Sequence, residues 1–159
     1  MDVFTVSFFG HRKIDDLFSL EEELKKLISD LMWEKEYVEL LVGRDGDFDQ
    51  LVSSTIRRCK RSVRDDNSAH VWVMPYLLAE YRDNEQAFYD YYDEIEIYSA
   101  GSNPHFKAAF QARNRSMADR SDLVVFCVEH RKGGAYQTLR SVQQHQIPFI
   151  NLKEIKEFK

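Results

Sequence analysis

Apolar runs of strand length and segments of helical period take turns along this chain, and that order constrains the fold more than any other feature. VFTVSFF at 3–9 is apolar and rich in β-branched and aromatic residues, as a buried strand is, and the segment at 19–35 then sets Leu20, Leu24, Leu27, Ile28 and Leu31 on one helical face. Ser19 and Glu22 have the spacing of a capping box at its start. YVELLV at 37–42 reads as a second strand, and after the turn GRDG at 43–46 a second helix covers 47–63. HVWVMPY at 70–76 is a third strand, closed by Pro75. The stretch 77–103 has no clean period and is rich in acidic and aromatic residues. Asn103 and Pro104 form a cap and first-turn pair for a helix at 104–121, DLVVFCVE at 122–129 is a strand, GGAYQTLRSVQQHQ at 133–146 a helix, and IPFINL at 147–152 a last strand. Strands that alternate with helices predict a Rossmann-like three-layer α/β fold around a mostly parallel central sheet of five or more strands. VFTVSFF and DLVVFCV lack the alternation of a half-exposed strand, so both belong in the middle of the sheet.

With 159 residues, 43% of them hydrophobic and 31% charged, the chain has the size and composition of one folded unit, and residues 1–159 are expected to form a single domain. Against 27 acidic residues stand 22 basic ones, a net charge of −5, which argues against nucleic acid as a partner. The sequence has no basic leader and no apolar stretch long enough to span a bilayer, so the expected setting is the cytoplasm, away from membranes. Cys59 and Cys127 fall inside a helix and a strand, where they pack as small hydrophobes. The DGDFD stretch at 45–49 imitates a calcium loop, but Gln50 and Ile56 occupy the positions that need glycine and glutamate. No two histidines have a metal-ligand spacing, so neither calcium nor zinc is expected, and nothing points to a bound cofactor.

Ligands of open parallel sheets bind beyond the carboxyl ends of the strands, where helix N-termini offer free N–H groups. Three stretches fall there: Gly10, His11 and Arg12 after the first strand; Gly43, Arg44, Gly46 and Asp49 before the second helix; and Gly133 and Gly134 before the last helix. Each also has a plain reading, as a glycine turn, a solvated cation or, for Asp47 and Asp49, a helix cap. Arg115, next to Asn114, has a guanidinium fork suited to a phosphate or to a simple surface position. The basic stripe Arg57, Arg58, Lys60, Arg61 and Arg64 is the strongest basic cluster and has two readings, a contact with nucleic acid or, favoured here, cations placed by the helix dipole and paired with Asp65 and Asp66 beside them. The aromatics between Glu80 and Tyr98 either stack on a base or pack in a core or dimer contact.

The motifs FFGHR, VGRDGDFDQLVSS, NRSMADRSDLVVF and VEHRKGGAYQTL, in that order, resemble the SLOG superfamily, the Rossmann-like group that includes the DprA/Smf proteins and the LOG phosphoribohydrolases. The YpsA-like DUF1273 branch is the most similar. The resemblance implies a pocket for a nucleotide or nucleotide-derived small molecule, often in a homodimer, and hence a cytosolic sensor, carrier or sequestering protein. LOG enzymes carry a glutamate after their paired glycines, in a Pro-Gly-Gly-x-Gly-Thr-x-x-Glu motif. Here KGGAYQTLR puts Arg140 at that position, which argues against catalysis because cleavage of a glycosidic bond needs carboxylate support. Two alternatives stand beside the binding protein: a divergent LOG-like nucleotide N-glycosidase or phosphohydrolase using Asp49, Glu80 or Glu129, and a DprA-like nucleic-acid-binding module.

Overall fold

The computed structural model describes residues 1–99 and 106–156. The elements follow as β1 (Val3–Gly10), α1 (Leu17–Glu34), β2 (Tyr37–Val42), α2 (Asp47–Ser62), β3 (Ser68–Tyr76), α3 (Ala79–Arg82), α4 (Glu85–Tyr91), β4 (Glu94–Ser99), α5 (Phe106–Asp119), β5 (Leu123–Cys127), α6 (Gly134–Gln144) and β6 (Phe149–Asn151). The strands make one six-stranded sheet in the order β4-β3-β2-β1-β5-β6, and every pairing is parallel. β1 and β5 are both interior strands, joined in a register that runs from Val6 opposite Leu123 to Gly10 opposite Cys127.

Side chains alternate across the sheet, as strand geometry requires, and this alternation divides the core in two. Val6 and Phe8 of β1, with Leu40, Trp72 and Val125, meet Leu20, Leu24 and Ile28 of α1 and Phe48, Val52 and Ile56 of α2. Phe9, with Leu41, Val71, Val73 and Phe126, meets Met117 of α5 and Leu139 and Val142 of α6 on the opposite face. Helices on both faces close the sheet from water and explain why its inner strands are apolar throughout.

Three local features differ from the sequence reading. α1 is capped by Asp16, whose side chain accepts hydrogen bonds from the Ser19 backbone N–H and hydroxyl at 3.3 and 2.9 Å, so the helix starts nearly a full turn earlier than a Ser19–Glu22 box would place it. The stretch after β3 contains two short helices and a sixth strand, β4, paired to β3 from Val71 opposite Glu94 to Tyr76 opposite Ser99. Pro75, which has no N–H to donate, lies inside β3 rather than closing it, beyond Trp72, the last residue paired with β2. The Asn103–Pro104 cap lies outside the described residues.

Candidate nucleic-acid interface

Chain order reverses at β1. From there the strands run outward through β2 to β4 on one side and through β5 to β6 on the other, which is the switch point where open α/β sheets leave a crevice. A cavity of about 500 Å³ opens there. Gly10, His11 and Arg12 line it from the end of β1, Gly43 and Asp49 from the turn into α2, and Gly133 and Gly134 from the start of α6. Gly133 has φ of 93°, a left-handed conformation natural to glycine, and it is the residue from which α6 departs. The turn into α2 is held against the turn after β1. The Asp47 N–H donates to the Arg12 carbonyl at 2.7 Å, the Ile14 N–H to the Asp47 carboxylate at 3.1 Å, and Gly46 lies so close to the Arg12 backbone that a β-carbon there has no room.

His11 fastens a loop. Its Nε2 accepts the N–H of Glu129 at 3.0 Å and of His130 at 3.1 Å, so the ring is neutral with its proton on Nδ1, and it ties the end of β1 to the β5–α6 connection. Burial, followed by the neighbouring His130, lowers its pKa and favours this state. Asp49 is buried at the cavity floor. Its Oδ2 accepts the Asp45 N–H at 2.8 Å, which braces the turn; neither Asp47 nor Asp49 caps α2 with its side chain. Desolvation, reinforced by the charge of Asp45, pushes the Asp49 carboxyl up to about 7, despite the opposing effects of Arg113 and Arg12.

Arg113 was not among the residues expected from sequence. It is buried, and it donates from Nη2 to Asp45 at 2.6 Å, from Nη1 to the Val73 carbonyl at 3.1 Å and from Nε to the Asn114 side-chain carbonyl at 3.1 Å. Arg115, the one singled out, is exposed on another side of α5 and lines a separate hollow with Tyr98, Asp119 and Arg120. Two residues along a helix turn a side chain by about 200°, so the two arginines of ARNR cannot serve one site. The period itself was the available signal: Phe106, Phe110, Arg113 and Asn114, at i, i+4, i+7 and i+8, share a face and all line the cavity.

Arg44 is also drawn away. Its guanidinium sits over the Phe88 ring at 5.0 Å and bonds Glu80 and the Tyr92 hydroxyl. Of the three carboxylates considered for catalysis, Asp49 alone is at the cavity: Glu80 pairs with Arg44, and Glu129 faces Lys156 at 3.8 Å. Arg140 donates to the Tyr136 hydroxyl one turn away on α6. Among the described residues no group of three or more histidines, cysteines or carboxylates is placed to hold a metal ion, and no helix is long and apolar enough to cross a membrane.

The lip of the cavity is different in character from its floor. Phe106 is 55% exposed, packs against Phe110 with ring centroids 4.8 Å apart and planes tilted by 46°, and approaches Tyr76 edge-on at 6.5 Å. Arg12 and Lys107, which line the cavity with it, are exposed, and neither makes an ion pair with a described residue.

No protein-family model matches the sequence, and no curated protein matches it. Solved structures do. The chain superposes on DNA processing protein A from Helicobacter pylori, a structure described for its single-stranded DNA binding mode, with a TM-score of 0.68 and 16% identity over 96% of this chain and 68% of that one. It superposes on DNA processing protein A (DprA) from Streptococcus pneumoniae with a TM-score of 0.65 and 15% identity over 93% of this chain and half of that one. The fold is that of the DprA proteins. It is Rossmann-like, as the order of strands and helices implied.

Two expectations are corrected by these neighbours. The small nucleotide-derived ligand gives way to the DprA-like alternative, and the argument from net charge against a nucleic-acid partner fails. A total of −5 sums the whole surface, whereas a polyanion meets only the local field of the surface it touches.

Proposed function

We propose that this chain is a single-stranded DNA-binding module whose contact surface is the carboxyl edge of the sheet. Single strands are held by cations that follow the backbone and by aromatic faces on which bases stack. The lip offers both, and the observation that carries the reading is Phe106, more than half exposed on a cavity lined also by Arg12 and Lys107, neither of which has an acidic partner among the described residues. The shared fold with DprA proteins supports the same choice. We also infer that residues 1–159 constitute one unit of this fold, since a single sheet takes in every described strand. The finer likeness to the YpsA-like branch rests on the sequence motifs alone.

The test is fluorescence anisotropy with a labelled single strand of about sixteen nucleotides, repeated across a salt series. Binding is expected to weaken linearly in log–log coordinates, and removing Arg12 and Lys107 together should flatten the slope by about 1.4, roughly 0.7 per lost phosphate contact. A folded protein that leaves the anisotropy of the strand unchanged at low salt overturns the reading.

A further inference from the structure

The lip suits a phosphate backbone, but the cavity floor does not. Arg113, the cation nearest the floor, is committed to Asp45, to the Val73 carbonyl and to Asn114, so its charge is already answered inside the protein. Asp49 uses only one of its oxygens, Oδ2, for the Asp45 N–H; Oδ1 accepts no hydrogen bond from a described residue, and the side chain, 8% exposed, lines the cavity. An anion placed against that carboxylate meets like charge in a medium that screens poorly. A hydrogen-bond donor meets an acceptor. Asn114, equally buried, lines the same cavity with an amide nitrogen that has no described partner, 3.9 Å from where a β-carbon on Gly134 would stand. Next to it Gly133 has nothing within 4 Å of its own β-carbon position, which leaves that wall open to a flat ring. A cavity of about 500 Å³ has ample room for one base.

We propose that this cavity takes a base of the bound strand and that Asp49 selects bases bearing an exocyclic amino group, cytosine above all, over thymine. The inference rests on the single-stranded DNA reading. Cytosine presents its amino group as a donor where thymine presents a carbonyl oxygen, and a carboxylate accepts from the first and repels the second. The Asn114 amide N–H supplies the donor that the ring nitrogen beside the cytosine amino group needs. The phosphates stay at the lip with Arg12 and Lys107.

Oligomers of about sixteen deoxycytidines or thymidines, titrated at about pH 8 where the Asp49 carboxyl is ionised, decide the matter. The deoxycytidine strand should bind roughly tenfold more tightly. Asp49→Asn keeps the size of the side chain and an oxygen for the Asp45 N–H, and its amide N–H can donate to thymine, so the preference should shrink to within about twofold. Equal binding of both oligomers by the parent protein overturns the base selection and leaves the DNA reading standing. A preference that survives Asp49→Asn unchanged overturns the role of Asp49. Binding of neither oligomer overturns the DNA reading and the selection with it.

Discussion

Two regions of this molecule combine aromatic rings with arginine, and they use them in opposite ways. Around Trp72, the rings of Tyr81, Phe88 and Tyr92 lie at centroid distances of 6.1, 5.0 and 5.2 Å, all four side chains are buried, and Arg44 is laid over Phe88 with Glu80 as its partner. At the cavity, Phe106 and Phe110 pack at 4.8 Å with their planes tilted by 46°, but Phe106 is exposed, and the exposed cations Arg12 and Lys107 make no ion pair with a described residue. The first arrangement satisfies itself and the second is left unsatisfied. A ring that is already packed cannot offer a face to a base, which sets aside the closed cluster around Trp72; Tyr89 and Tyr98 are exposed, but neither lines the cavity, whereas Phe106 does.

The sharpest way to break this contrast is to truncate one ring in each region. Trp72→Ala should cost about 3–5 kcal/mol of stability, read by chemical denaturation, because it empties the centre of a closed cluster. Charge at the cavity floor comes next. The Asp49 carboxyl is raised from 3.8 to about 7 with Asp45, Arg113 and Arg12 around it, so the folded protein holds a proton there that the unfolded chain has released. Stability from this group is present below about pH 4 and lost as pH rises through 7, by about 4 kcal/mol at most. Denaturation curves of Asp49→Asn should therefore depend less on pH than those of the parent over that window.

Phe106→Ala sharpens the comparison from the other side. It should leave stability within about 0.5 kcal/mol, as exposed positions do, while weakening single-strand affinity by about 1–3 kcal/mol in the anisotropy titration. Unchanged affinity would place the strand elsewhere. The smallest effect belongs to Arg115→Ala, on another side of α5: a change within about 0.5 kcal/mol in stability and no change in the salt slope. A large loss of binding there would shift the interface to the outer hollow.

How far the sequence revealed all this depended on burial. β1, β2, β3 and β5 are apolar almost throughout because helices cover both faces, and so their residues announce them without reference to anything distant. β4 is an edge strand with one neighbour. Its EIEIYS does alternate, Ile95 and Ile97 against Glu94 and Glu96, but over four residues, and flanking tyrosines and carboxylates hide the period. The glycines and Asp49 at the strand ends were legible because turns demand particular residues. What was hidden was assignment by tertiary contact: that His11 bonds a loop more than a hundred residues away, that Arg44 goes to the aromatic cluster, and that Arg113 rather than Arg115 faces the floor. Net charge misled for a related reason, since a sum over residues retains nothing of where they sit.

The position of β1 between β2 and β5 has a consequence for synthesis. The cavity draws on residues 8–12, 43–49, 106–114 and 133–137, and its last wall, α6, comes near the end of the described chain. Domains emerge from the ribosome amino end first, and contacts so distant in sequence are slow to close. A growing chain that has already joined β1, β2 and β3 and covered them with α1 and α2 still lacks the glycine turn and the Phe106 lip, and so lacks the cavity proposed to hold a base. Capacity for the proposed ligand would therefore arrive in one step at the end of folding, and nascent or truncated chains would leave nucleic acid alone.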